Sequence, residues 1–148
     1  MGLIDCLSPQ KNVTLLTRNL YVMSVAATMP NVELIILPGV YDRRTNSVSD
    51  VSTLEFMERY QPNKAFMGVS SISADGKLNV SSYIEYRLKS MAMKRSNETY
   101  VMVDSSKFGE TALMPYGDLK DTAGVITDPD YNKGLVEFCQ EQNIPVYV

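Results

Sequence analysis

Short apolar runs alternate with longer amphipathic or polar stretches along the chain. Val13-Thr14-Leu15-Leu16-Thr17 predicts a strand, and Leu20 to Met29 a helix that stops at Pro30. Glu33-Leu34-Ile35-Ile36-Leu37 predicts a second strand, closed by the turn pair Pro38-Gly39. Tyr41 to Asp50 is polar and irregular. Ser52 with Glu55 three residues on is a capping-box pattern that opens a helix to about Tyr60. Lys64 to Val69 is the third predicted strand. Asp75-Gly76 is a turn signal that closes a small hairpin with Lys77-Leu78-Asn79-Val80. Ser82 and Glu85 form a second capping box. Ile84, Leu88 and Met91 then repeat at helical spacing and predict a core-facing stripe. Thr99 to Val103 and Ala123 to Thr127 predict the fourth and fifth strands. Asp128-Pro129-Asp130 turns into a helix over about Asn132 to Glu141, and Pro145 to Val148 is the last strand.

Strands that alternate with helices pair in parallel through crossovers. The pattern therefore predicts an α/β fold, a mostly parallel sheet flanked by helices. At 148 residues, with no repeat, low-complexity tract or linker, the expectation is one domain with a sizeable core.

Composition narrows the function classes. The chain carries 14 basic and 17 acidic residues, a net charge of -3. Free-standing nucleic-acid binders usually show a basic stripe. The only basic pairs are Arg43-Arg44 and Lys94-Arg95, read as solvated surface. There is no histidine, which removes the commonest general base and metal ligand. Cys6 and Cys139 form no C-x-x-C pattern, so neither a zinc nor a redox site is expected. Cys139, on a predicted helix, reads as a buried thiol. No apolar run approaches the ~20 residues of a membrane span. Met1 to Cys6 lacks the flanks of a signal peptide, and Cys6 stands where myristoylation wants Ser or Thr. The default compartment is the cytoplasm. No cofactor, metal site or catalytic set is expected.

Candidate chemistry is densest after the fourth strand. Thr99-Tyr100-Val101-Met102-Val103 ends abruptly in Asp104-Ser105-Ser106-Lys107-Phe108-Gly109. Strands of open α/β sheets deliver ligand-binding residues to their carboxyl edge. An acid, hydroxyls and a lysine together can hold a polyol and a phosphate. Equally, Asp104 and Ser105 could bond their own backbone in a strand-to-loop turn.

These residues resemble the C-terminal sensor domain of DeoR-type bacterial sugar-metabolism repressors. Lys64 to Ser73 with Gly76, Glu85 with Lys89, Asp118 to Asp128, and Asn143 to Val148 fit the same family in the same order. The resemblance runs from about Asn12 to the C-terminus. It implies the sugar-phosphate-isomerase and CoA-transferase-like fold and a non-catalytic, effector-sensing function. The implied effector is a phosphorylated sugar or related metabolite. The implied assembly is a homo-oligomer that meets DNA only through an absent N-terminal helix-turn-helix domain, with no membrane partner. On this resemblance, Lys89 faces the pocket and Glu85 orients it.

The family's sensor domain begins with a strand and a phosphate-binding loop. Met1 to Gln10 matches only the tail of the helix that follows, so residues 1–11 read as the remnant of an incomplete first α/β unit. The chain is expected to be a fragment or a shortened relative. Several pocket positions also depart from the family: Thr17-Arg18-Asn19, Pro38-Gly39-Val40 and Gly68-Val69-Ser70-Ser71. Arg18 could partly compensate, since a guanidinium suits a phosphate fork. The candidate effector-binding residues are Arg18, Asn19, Gly39, Ser70, Glu85, Lys89, Asp104, Ser105 and Lys107.

Two other functions stay open. One is a sugar-phosphate isomerase, which needs a base to move a proton between adjacent carbons. The loop after the third strand reads Ser70-Ser71-Ile72-Ser73 and supplies no acid before Asp75. The other is an oligomerisation module that binds no small molecule.

Overall fold

The computed structural model describes residues 2–111, 113–130 and 132–148. Met1, which heads the N-terminal stretch read above, lies outside them. Two compact units follow each other along the chain, Met1–Met57 and Glu58–Val148.

In the first unit, β1 (Val13–Thr17) and β2 (Val32–Ile36) pair in parallel, Val13 opposite Val32 through to Thr17 opposite Ile36. They are joined through α1 (Leu20–Ala26). This helix stops short of Met29. The Thr28 N–H bonds the Val25 carbonyl and the Met29 N–H bonds the Ala26 carbonyl, a tightening common at helix ends. The stretch read as irregular holds a tight antiparallel pair, β3 (Tyr41–Asp42) and β4 (Ser47–Val48), with Asn46 at φ 49° in the turn. α2 (Val51–Met57) opens on Asp50 rather than on Ser52. Asp50 Oδ1 accepts from the Ser52 N–H at 2.8 Å and the Thr53 N–H at 3.3 Å. An acid there satisfies orphan donors that the expected serine would have had to reach.

The second unit contains β5 (Lys64–Gly68), β6 (Ser71–Ile72), β7 (Lys77–Asn79), α3 (Tyr83–Arg95), β8 (Glu98–Met102), β9 (Pro115–Asp118), β10 (Gly124–Ile126), α4 (Lys133–Glu141) and β11 (Val146–Tyr147). Four strands form a parallel sheet in the order β11-β10-β8-β5. Along β8, Thr99 and Val101 are buried while Glu98 is exposed, the alternation of a strand with one face inward. β6, β7 and β9 form a smaller antiparallel sheet. The hairpin at Asp75-Gly76 matches the expectation. β9 does not, since nothing between Val103 and Ala123 carries a strand pattern.

One core joins these layers, with Ile72, Leu78, Val101, Leu119, Val125 and Leu135 fully enclosed. α4 starts on Asn132, whose side chain accepts from the Leu135 N–H. Its Cys139 is buried as expected, and burial pushes the thiol up to about 11. Gly76 sits at φ +86°, and a Cβ there would lie 2.5 Å from the Phe138 ring. Both facts require glycine.

α3 departs from its expected stripe. Leu88 is buried, but Ile84 and Met91 are only half-buried. The buried neighbour of Leu88 is charged: Glu85, 7% exposed. Ser82 caps the helix, its hydroxyl accepting from the Glu85 N–H at 3.4 Å.

Candidate functional site

The register of the four-stranded sheet makes one level edge. Gly68 ends β5 opposite Met102 of β8, which stands opposite Ile126 of β10. In parallel strands these are all carboxyl ends, where α/β sheets place their ligands.

From β8 the chain passes through Asp104 into a 3-10 turn, Ser105–Lys107. Asp104 accepts from the Ser106 hydroxyl and, at 2.9 Å, from the Ser106 N–H. These two bonds, helped by the Lys107 charge, hold the Asp104 carboxyl below the usual range. The Ser105 N–H donates to Asp128 Oδ1 at 3.0 Å and its hydroxyl to Asp128 Oδ2 at 3.3 Å. The Thr127 hydroxyl also reaches Asp128, at 3.1 Å. Asp128 therefore clasps the end of β8 to the end of β10. Lys107 is half-buried in this turn.

At the end of β5, α3 delivers a cation. Lys89 Nζ donates to the Gly68 carbonyl at 2.5 Å. It also stands 3.7 Å from Glu85 Oε2, one helical turn away, with the two side chains only 16% and 9% exposed. The same ammonium lies 5.9 Å from the centroid of the Tyr116 ring. Tyr116, on β9, is buried, and its hydroxyl has no hydrogen-bond partner among the described residues. Burial, and then the nearby Glu85 charge, push the phenol well above its ordinary range. Ser70, in the loop after β5, is exposed, and its N–H donates to the Asn79 carbonyl at 3.0 Å.

Register thus brings Ser70 and the turn of Asp104, Ser105 and Lys107 to the carboxyl ends of neighbouring strands, and the Lys89 bond to Gly68 brings Lys89 and its neighbour Glu85 to the same edge. The remaining candidates lie in the first unit, engaged locally. The Arg18 guanidinium donates to Ser47 Oγ at 3.0 Å. Asn19 caps α1 through the Val22 N–H at 3.0 Å. Gly39, at φ +153°, occupies a place where a Cβ would meet Thr53 Oγ1 at 2.6 Å.

Two residues at the edge were not among the candidates. Asp128 lies in a segment that carried the family resemblance, but its bond to Ser105 needs the β8–β10 register. Tyr116 sits on the unread strand β9. Among the described residues, no three His, Cys, Asp or Glu side chains gather to hold a metal ion. None of their helices is long and apolar enough to cross a membrane.

The family model described as the DeoR C terminal sensor domain matches residues 1–129. The chain is 30% identical over 147 residues to the HTH-type transcriptional regulator IolR of Bacillus subtilis, covering 99% of this chain and 59% of that protein. It is 25% identical over 138 residues to the L-fucose operon activator of Haemophilus influenzae, covering 93% and 55%. It is 28% identical over 117 residues to the glycerol-3-phosphate regulon repressor of Escherichia coli, covering 79% and 46%. The chain spans about half the length of these curated relatives.

Proposed function

The chain belongs to the family of DeoR C-terminal sensor domains, and from that premise we propose that it senses a small phosphorylated sugar or related metabolite without transforming it. Its architecture is the mostly parallel α/β arrangement of the sugar-phosphate-isomerase-like fold. We read both compact units as parts of one sensor domain, because the family match runs across the boundary between them. Binding would bias the arrangement of a homo-oligomer and so the DNA contacts of a helix-turn-helix domain elsewhere in the regulator. Such coupling requires the effector to prefer one arrangement. Relatives named as transcription regulators support this role and a place in the cytoplasm.

The observation that carries the reading is Lys89. A lysine side chain that is mostly buried and anchored on the last carbonyl of β5, level with the end of β8, is a placement that surface solvation alone does not favour. The alternative of an isomerase finds less support. A general base works best with a pKa near the operating pH. Asp104 is shifted the other way. The nearest loop acid, Asp75, receives the Ser73 hydroxyl at 2.5 Å.

A thermal-shift titration with inorganic phosphate, free sugars and triose, pentose and hexose phosphates tests the reading. Ligand that binds only the native state raises its apparent stability. The expected result is a saturable rise with a sugar phosphate, no isomerised product, and loss of the rise in Lys89→Ala. A response to no sugar phosphate, or turnover of one, would sink the proposal.

A further inference from the structure

The Tyr116 hydroxyl is a buried polar group, on a ring beside the Lys89 ammonium, that the fold does not explain. Tyr116 is 8% exposed, and its oxygen meets no hydrogen-bond partner among the described residues. Buried polar groups without partners are uncommon in folded proteins and ask for a reason. This one sits with the Glu85–Lys89 pair, the ring 5.9 Å from the Lys89 ammonium. We propose that Tyr116, with Glu85 and Lys89, reads a hydroxyl of the effector's polyol end, and that the phosphate binds elsewhere. The inference rests on the sensor reading above and deepens it.

Charge decides what this cluster accepts. Glu85 and Lys89 largely neutralise each other at 3.7 Å. A phosphate placed here would meet the Glu85 carboxylate at close quarters. A sugar hydroxyl has no such conflict, because it both donates and accepts. The carboxylate offers an acceptor, while the ammonium and the phenol offer donors. The phenol stays protonated, because burial and Glu85 both oppose its ionisation. A tyrosine here therefore acts as a neutral donor on a rigid ring, a group suited to selecting among polyols.

Tyr116→Phe keeps the ring and removes only the oxygen. If that oxygen awaits a ligand, its removal leaves the free protein as stable as before or more so. Melting temperatures would be compared for both proteins alone and with inorganic phosphate, glycerol phosphate, ribose phosphate and glucose phosphate. The expected result is an unchanged or higher melting temperature without ligand. The sugar phosphate that stabilises the unsubstituted protein should bind Tyr116→Phe about tenfold more weakly. Any response to inorganic phosphate should be unaltered. A ligand-free melting temperature several degrees lower would show that the hydroxyl has a structural partner and overturn the inference. So would a variant that binds the sugar phosphate as tightly as the parent, although the sensor reading would then survive. A parent protein that responds to no sugar phosphate overturns both.

Discussion

Two lysine–carboxylate pairs among the described residues of the second unit stand in contrasting settings. Lys77 on β7 reaches Asp118 on β9 at 2.6 Å, with side chains 44% and 19% exposed. Lys89 on α3 stands 3.7 Å from Glu85, yet those side chains are far better shielded. The shorter contact lies where water screens it, and exposed pairs of this kind contribute little. The longer contact lies where an unmatched charge would be left stranded. Separation alone does not rank ion pairs. Enclosure does, and here the enclosed pair is also the one at the candidate site.

The contrast can be broken most strongly at Lys89. Lys89→Ala should lower the unfolding free energy by ~3 kcal/mol in urea denaturation, because the buried Glu85 loses the compensating Lys89 charge. Adding Glu85→Gln to Lys89→Met should recover most of that loss, since a neutral, well-packed pair needs no compensation. An equal loss in the single and double variants would rule out the uncompensated Glu85 charge as its cause.

The exposed pair should give a smaller, pH-dependent effect. Burial alone would raise Asp118, but the Lys77 hydrogen bond, the Lys120 N–H and the nearby lysine charges outweigh it and leave it lowered. A carboxylate depressed in the folded state contributes stability above its unfolded pKa of about 4 and loses it as pH falls through the folded value. Asp118→Asn should therefore lower the urea midpoint modestly at neutral pH, and the gap should close in acid. A gap that persists unchanged in strong acid would point to a cause other than the ion pair.

Salt should give the smallest effect. At ~1 M salt the screening length falls to about 3 Å. The Asp118→Asn deficit should shrink there, while the Lys89→Ala deficit holds. Equal shrinkage would mean that both pairs are effectively solvated.

Much of the architecture is legible in the sequence because it is written in local pattern. The apolar runs at Val13, Lys64 and Thr99 become β1, β5 and β8 within a residue or so. Asp75-Gly76 makes its hairpin by itself. β9 is not legible, because Pro115, Gly117 and Asp118 carry turn chemistry. Only pairing with β7, far earlier in the chain, makes a strand of them. The hairpin β3–β4 is hidden for a related reason: two residues per strand carry no periodicity. Asp50 outcompetes Ser52 as the cap of α2, a contest between residues two apart that composition does not decide. Glu85 and Lys89 could be placed together by their four-residue spacing. That the pair turns inward depends on how α3 packs. Tyr116 was invisible with its strand, and the Ser105–Asp128 clasp needs the relative positions of two strand ends.

The hollow at Gly76 bears on how the molecule lives in time. The hairpin there closes over a few residues, an event of microseconds. The ring that fills the hollow, Phe138, arrives from the far end of the unit on α4. Contacts so distant in the chain form after local ones, because loop closure must come first. A methyl group at Gly76 would thus strain the turn early, through its φ of +86°, while its clash with Phe138 would be felt late and would appear as faster unfolding. One missing side chain in a turn thereby helps to set how long the native state persists.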